Sequence, residues 1–179
     1  AKVVAMEVSS HGLDQGRVNG VQFDVAVFTN LTRDHLDYHG DMEAYAAAKK
    51  KLFDWNDLKH VVLNIDDAFG SQLAEELRVK NKAVMTYGLS SNADVYAEHL
   101  SMTEQGITMQ VNTPFGLTRL TAEVLGEFNA YNLLAVLTTL LVSDVSLQDA
   151  VNAVSKVKPV AGRMQQYGGG KMPLVRSEE

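Results

Sequence analysis

Apolar residues fall in short runs along this chain, each closed by small polar residues, and the runs alternate with longer stretches of helical period. Val3 to Val8 is short, apolar and followed by Ser9-Ser10, the pattern of a strand buried on both faces. Asp24 to Thr29 reads the same way, and so does His60 to Ile65, which stops at Asp66-Asp67. Lys82 to Tyr87 is a fourth such run. Helices are predicted between them. Asp41 to Phe53 has Asp41 as its N-cap and Ala46-Ala47-Ala48 as strong helix formers, and Ala68 to Val79 is a second helix. This alternation predicts an α/β fold with a doubly wound, mostly parallel sheet flanked by helices.

The pattern changes after Tyr87. Asp94 to Met102, Gly106 to Asn112 and Phe115 to Ala122 are three β-rich runs with turn signals but no helix between them. They predict a small antiparallel meander over residues 94–123, attached to the main sheet. Glu127 to Val142 and Ser146 to Val157 are predicted helices, the second with Ser146 as N-cap and Asp149 in its first turn. Tyr167-Gly168-Gly169-Gly170 reads as a flexible linker. Residues 1–166 are therefore expected to form one domain, and residues 167–179 to lead toward another. The chain opens directly on a strand-like run with no initial methionine, so it reads as a piece of a longer protein. Arg176-Ser177-Glu178-Glu179 is read as the edge of a cut or an artificial tail.

Composition narrows the function. With 179 residues, 46% apolar and 21% charged, the chain is long enough for one sizeable domain. Its net charge is −6, and Lys49-Lys50-Lys51 is the one basic cluster. Three successive helical lysines point in three directions, so they read as solvated and no nucleic-acid partner is expected. There is no cysteine, which excludes disulfides and thiolate metal sites. A metal must then be held by His, carboxylate or water, and that favours a hard cation such as Mg²⁺. The apolar stretch Leu133 to Val142 is too short to span a membrane, and no signal peptide is visible.

The candidate chemistry collects at predicted strand ends. Glu7 ends the first strand and His35 follows the second, which puts both on the carboxyl edge where open α/β sheets bind ligands. They suit a divalent cation that keeps several waters; alternatively Glu7 caps the next helix and His35 bonds Asp34 or Asp37. Ser9, Ser10 and His11 can cradle an anion or simply cap a helix. Gln15 and Arg17 lie just beyond, and Arg17 either grips a phosphate or carboxylate or faces water. His11, His35 and His39 near acids allow general acid–base work, while a serine hydrolase is unsupported because no Gly-x-Ser-x-Gly elbow occurs. Lys49 sits on an alanine-rich face; a desolvated, neutral amine there can take up CO₂ as a metal-holding carbamate, and otherwise it is a solvated lysine. Asn129 and Asn132 share one helix face and can read an adenine edge or a ribose, or serve as a cap and a surface amide. Arg163 reaches a triphosphate or faces water. A Gly-rich phosphate loop, which such a site calls for, does not occur in these residues.

Read in order, six motifs resemble one family. They are Glu7-Val-Ser-Ser-His-Gly-Leu13, Thr29-Asn-Leu-Thr-Arg-Asp-His-Leu-Asp-Tyr-His-Gly40, Tyr45-Ala-Ala-Ala-Lys49, Asn64-Ile-Asp-Asp67, Gly126-Glu-Phe-Asn-Ala-Tyr-Asn132 and Gly162-Arg163-Met164. Together they resemble the central, ATP-binding domain of the Mur ligases. The resemblance is closest to the branch that adds the third amino acid to UDP-N-acetylmuramoyl-L-alanyl-D-glutamate in peptidoglycan synthesis. It implies a P-loop-NTPase-like domain lacking its N-terminal part. It implies ATP and Mg²⁺ as cofactors, with Glu7, His35 and a carbamylated Lys49 at the metal and Lys49 and His35 in catalysis. Ser9, Gln15 and Arg17 are then substrate contacts, and Asn129, Asn132 and Arg163 nucleotide contacts. The partners implied are the UDP-muramoyl dipeptide and an amino acid, with meso-diaminopimelate expected, in a cytoplasmic bacterial enzyme that works as a monomer. The phosphate loop, the uridine-holding domain and the amino-acid-selecting domain of that family are not in this chain, so the piece alone is expected to be inactive. The alternatives are a non-catalytic scaffold of the same fold, a folylpolyglutamate-type carrier ligase, and a His/Asp metal-dependent hydrolase.

Overall fold

The computed structural model describes residues 3–32, 36–159, 165–167 and 174–176. Its first helix, α1 (Ser10–Asp14), starts where the Ser9 side chain accepts a hydrogen bond from the Gly12 N–H at 3.0 Å. β1 (Val25–Phe28) follows, then two short helices, α2 (Leu36–His39) and α3 (Met42–Lys50). The α3 start was legible: Asp41 is its N-cap and accepts from the Ala44 N–H at 2.8 Å. The predicted helix over 41–53 tightens into a 3₁₀ turn at Lys51–Asp54.

β2 (His60–Asn64), α4 (Ala68–Val79) and β3 (Val84–Gly88) complete a βαβ unit. β4 (Val95–Thr103), β5 (Gly106–Thr113) and β6 (Gly116–Ala122) then form the antiparallel meander, with a bulge between Glu98 and Ser101 where His99 takes φ 51°. The six strands make one sheet in sequential order. β1 to β4 pair in parallel and β4 to β6 antiparallel, as the hydrophobic pattern predicted. α5 (Glu127–Val142) and α6 (Leu147–Val154) follow, with Ser146 capping α6. β7 (Gln165–Tyr167) and β8 (Leu174–Arg176) pair antiparallel, flanking the glycines expected to form a linker; residues 168–173 lie outside the described residues.

Alternation along the strands builds two cores, because successive side chains leave opposite faces of a sheet. Val61 and Leu63 of β2, with Ala26 and Phe28 of β1, pack against Phe53, Leu58 and the Leu73, Ala74 and Leu77 stripe of α4. Val62 faces the other way, toward Tyr87, the meander, α5 and α6. α4 sits unusually close to the sheet. A Cβ on Gly70 would stand 1.9 Å from the Asn64 carbonyl oxygen, so only glycine fits there.

The run Val3 to Val8 is a correction. It was expected to be a buried strand, but it forms no ladder, and Val3 and Val4 are 84% and 78% exposed. An extended segment becomes a strand only when a neighbour satisfies its N–H and C=O groups. Among the described residues β1 pairs only with β2, and Val3 to Val8 faces its other edge across an open cleft. Among the described residues no helix is long and apolar enough to cross a membrane.

Candidate functional site

The cleft beside β1 encloses about 770 Å³. One wall is Val3 to Val8, the other is β1 running on to Thr29 and Asn30, and the C-terminal turn of α5 with Thr139 and Val142 borders it. Glu7 and Lys49 both line it. Two groups far apart in sequence are thereby brought to line one cavity, although Glu7 does not end a strand as the sheet-edge argument expected. Glu7 is exposed and does not cap a helix; Ser9 does. His35 and Arg163 lie outside the described residues. A shallower hollow of about 480 Å³ at Trp55, bordered by Asn19 to Gln22 and Asp54 to Asp57, carries none of the predicted site residues.

The lysine triplet does point in three directions, but its members are engaged rather than simply solvated. Lys50 pairs with Glu76 at 2.6 Å and Lys51 with Asp14 at 2.7 Å. Lys49 is half-buried, its Nζ 5.1 Å from the centre of the Tyr45 ring. Tyr45 stacks at 5.3 Å on His39, whose Nε2 lies 2.9 Å from the Ser10 hydroxyl. His11 rests on Tyr38 with ring centroids 4.0 Å apart. A chain of ring contacts therefore links the lysine on α3 to the short helix α1 that carries Ser10 and His11.

Beyond α1, Gln15 and Arg17 are exposed. Gln15 donates through Nε2 to the Tyr38 hydroxyl at 3.2 Å, and Tyr38 donates to Asp14 at 3.1 Å. Lys51, together with the Tyr38 hydroxyl, holds the Asp14 carboxyl below its ordinary value.

The loop after β1 is tied down by the end of β2. Asn64 donates through Nδ2 to the Thr29 carbonyl at 2.8 Å. Asp67 accepts from the Leu31 N–H at 2.9 Å with one oxygen, and with the other caps α4 through the Phe69 and Gly70 N–H groups. The Tyr87 hydroxyl adds a bond to the Phe28 carbonyl at 3.1 Å, and burial with the nearby Asp67 charge pushes that phenol well up. These anchors went unread in the sequence. Asp67 ahead of a helical run carried a visible capping signal, but its second oxygen did not.

Asn129 and Asn132 do share a face at the start of α5, where Asn132 donates to the Asn129 side-chain oxygen at 3.2 Å and Asn129 to the Leu125 carbonyl at 2.7 Å. Their helix end is tied to the carboxyl edge of β2. Burial, with the Asp66 carboxylate against its hydroxyl, pushes Tyr131 up to about 12.

For a divalent cation the donors fit in kind. Glu7 supplies a carboxylate, Lys49 stands in the same cleft, and the chain has no cysteine thiolate to offer. Among the described residues no three His, Cys, Asp or Glu side chains cluster to hold a metal on their own. The Lys49 ammonium would repel a cation and its carbamate would attract one, so the fit depends on that modification.

The Mur ligase middle domain matches residues 1–140 of this chain. The chain belongs to the Mur ligase family. The UDP-N-acetylmuramoyl-L-alanyl-D-glutamate–2,6-diaminopimelate ligase of Chromobacterium violaceum is 57% identical over 175 residues, which is 98% of this chain and 35% of that relative. A solved structure of a ligase of the same name superposes with a TM-score of 0.85 at 38% identity, over 94% of this chain and 35% of that one. A MurF structure from Acinetobacter baumannii shares the fold, with a TM-score of 0.74 at 22% identity over 85% of this chain and 33% of that one. The chain thus spans about a third of the length of the Mur ligases it matches.

Proposed function

We propose that this chain is the central portion of an ATP-dependent ligase that joins an amino acid, meso-diaminopimelate, to UDP-N-acetylmuramoyl-L-alanyl-D-glutamate. The reading includes work as a monomer in the bacterial cytoplasm. The observation that carries it is the meeting of Glu7 and Lys49 in one cleft at the β1 edge. The relative of that activity, 57% identical over 98% of the chain, supports the choice of reaction.

In this reading the γ-phosphoryl group of ATP passes to the D-glutamyl carboxylate, ADP leaves, and the incoming amine attacks the acyl carbon and expels phosphate to form the amide. Mg²⁺, when bound, neutralises charge that develops on the phosphate oxygens. Glu7 and His35 would hold it, together with a Lys49 carbamate, which would supply anionic oxygens from a side chain that is otherwise cationic. Tyr45 fixes the Lys49 side chain in place, its ring centre 5.1 Å from Nζ. Ser9, Gln15 and Arg17 hold the muramoyl peptide; Asn129 and Asn132 hold the adenine, and Arg163 the phosphates.

The test is phosphate release by the full-length protein with ATP, Mg²⁺ and the UDP-muramoyl dipeptide, adding meso-diaminopimelate or L-lysine separately. Release with meso-diaminopimelate alone is expected, and Lys49→Ala should lower it by about 10²-fold or more, the scale of losing one charge-stabilising group. Lys49→Ala is expected to regain nothing when bicarbonate is added, whereas wild type stripped of CO₂ at low pH recovers with it. Equal release by wild type and Lys49→Ala would reject the role of the lysine, and no release with either amine would reject the substrate.

A further inference from the structure

Tyr38 is 41% exposed, yet its hydroxyl is fully committed. It donates to Asp14 Oδ2 at 3.1 Å and accepts from Gln15 Nε2 at 3.2 Å. Asp14 is also the partner of Lys51 at 2.7 Å, which keeps it ionised and therefore an acceptor only. The single Tyr38 hydrogen is thus spent on Asp14. What remains on the oxygen is a lone pair, and a lone pair can be met by the NH₂ end of the Gln15 amide but not by its carbonyl end. His11 packs against the ring in a tilted contact, 4.0 Å between centroids at 47°, and limits the swing of the phenol.

We propose that Tyr38 is a positioning residue for the substrate-binding side chain Gln15. The Lys51–Asp14–Tyr38 relay fixes the polarity of the Gln15 amide, so that Oε1 is the atom offered to an N–H or O–H donor of the ligand. The proposal rests on the reading of Gln15 as a contact to the muramoyl peptide. An amide left free would present its two ends equally, and half of its orientations would set NH₂ against a ligand donor. The chemistry recognised is therefore a hydrogen-bond donor, a hydroxyl or peptide N–H of the muramoyl peptide, and not its carboxylates. The same relay crosses from α1 to the end of α3, so ordering Gln15 also orders the helix end next to Lys49.

The experiment uses the full-length protein, with steady-state phosphate release for wild type, Tyr38→Phe, Gln15→Ala and the double variant. Tyr38→Phe keeps the ring against His11 and removes only the hydroxyl. It is expected to raise KM for the UDP-muramoyl dipeptide about three- to tenfold, the range of one lost hydrogen bond, with kcat and the KM for ATP unchanged. In the Gln15→Ala background the same change should add nothing, because the effect passes through Gln15. Asp14→Asn, which can donate to the Tyr38 oxygen, should raise the same KM. An unchanged dipeptide KM in Tyr38→Phe overturns the proposal, as does a full additive effect in the double variant or an equal rise in the KM for ATP. Gln15→Ala without effect on KM also overturns it and leaves the ligase reading standing. No turnover by wild type rejects the ligase reading, and the proposal falls with it.

Discussion

Asp67 shows how one carboxylate does two jobs at this site. Oδ1 accepts from Phe69 and Gly70 and starts α4, while Oδ2 accepts from the Leu31 N–H and holds the loop that follows β1. An N-cap is worth about 1 kcal/mol and a second, part-buried hydrogen bond to a charged acceptor a similar amount. Asp67→Ala should therefore cost about 2 kcal/mol of stability. Asp67→Asn can keep the cap through Oδ1, but it sets an NH₂ group against the Leu31 N–H, so it should cost about 1 kcal/mol, all of it from the loop. Urea unfolding followed by the fluorescence of Trp55, the sole tryptophan, reads both values. Asp67→Asn without cost would show that the Leu31 bond contributes nothing, and equal costs for the two variants would show that the cap contributes nothing.

Between elements, ion pairs from α3 and its 3₁₀ turn reinforce the apolar core that the turn shares with α4. Glu76 on α4 takes Lys50 at 2.6 Å and Lys80 at 2.8 Å, and Lys80 reaches back to Asp54 at 3.3 Å. The hydrogen bonds from Lys50 and Lys80 lower the Glu76 carboxyl below its ordinary 4.5. A lowered carboxylate adds stability above its unfolded value, and that stability is lost as pH falls through the folded one. Glu76→Gln should thus unfold more easily than wild type at neutral pH, and the gap should close as pH drops below 4.5. A gap that persists in acid would mean that Glu76 acts through shape and not charge. α3 to α6 were readable because each is long enough to show its period, and Asp41 and Ser146 cap where their spacing predicted, whereas the Asp67 cap went unread. α1 and α2 were not, since five and four residues show no period. Their contacts to Lys49 and Gln15 come from residues far away in sequence. Glu7 and Lys49 were legible as motif positions, but the Tyr38 relay was not, because nothing local to Tyr38 records Asp14 or Gln15.

At the scale of the whole molecule the sheet has one unfinished side. Along β1 the described residues leave an edge without a ladder partner, faced by a segment whose Val3, Val4 and Met6 are 84%, 78% and 51% exposed. The hydrophobic pattern of Val3 to Val8 was a correct statement of what the segment is suited to and a wrong one of what it does here. Apolar composition records a need for burial; pairing depends on a neighbour that composition does not name. An open apolar edge of this kind is a template for another strand. The 179-residue chain by itself should therefore associate as its concentration rises, through backbone pairing at the β1 side. A charge placed in the exposed run blocks such pairing at little cost to a residue already in water, so Val4→Lys should shift the chain toward monomer while leaving the Trp55-monitored unfolding midpoint in place. Sedimentation velocity over a concentration series separates the cases. Association that Val4→Lys abolishes assigns the surface to this edge. Association that survives Val4→Lys places it elsewhere, and a chain that stays monomeric throughout means that Val3 to Val8 shields the edge without forming a ladder.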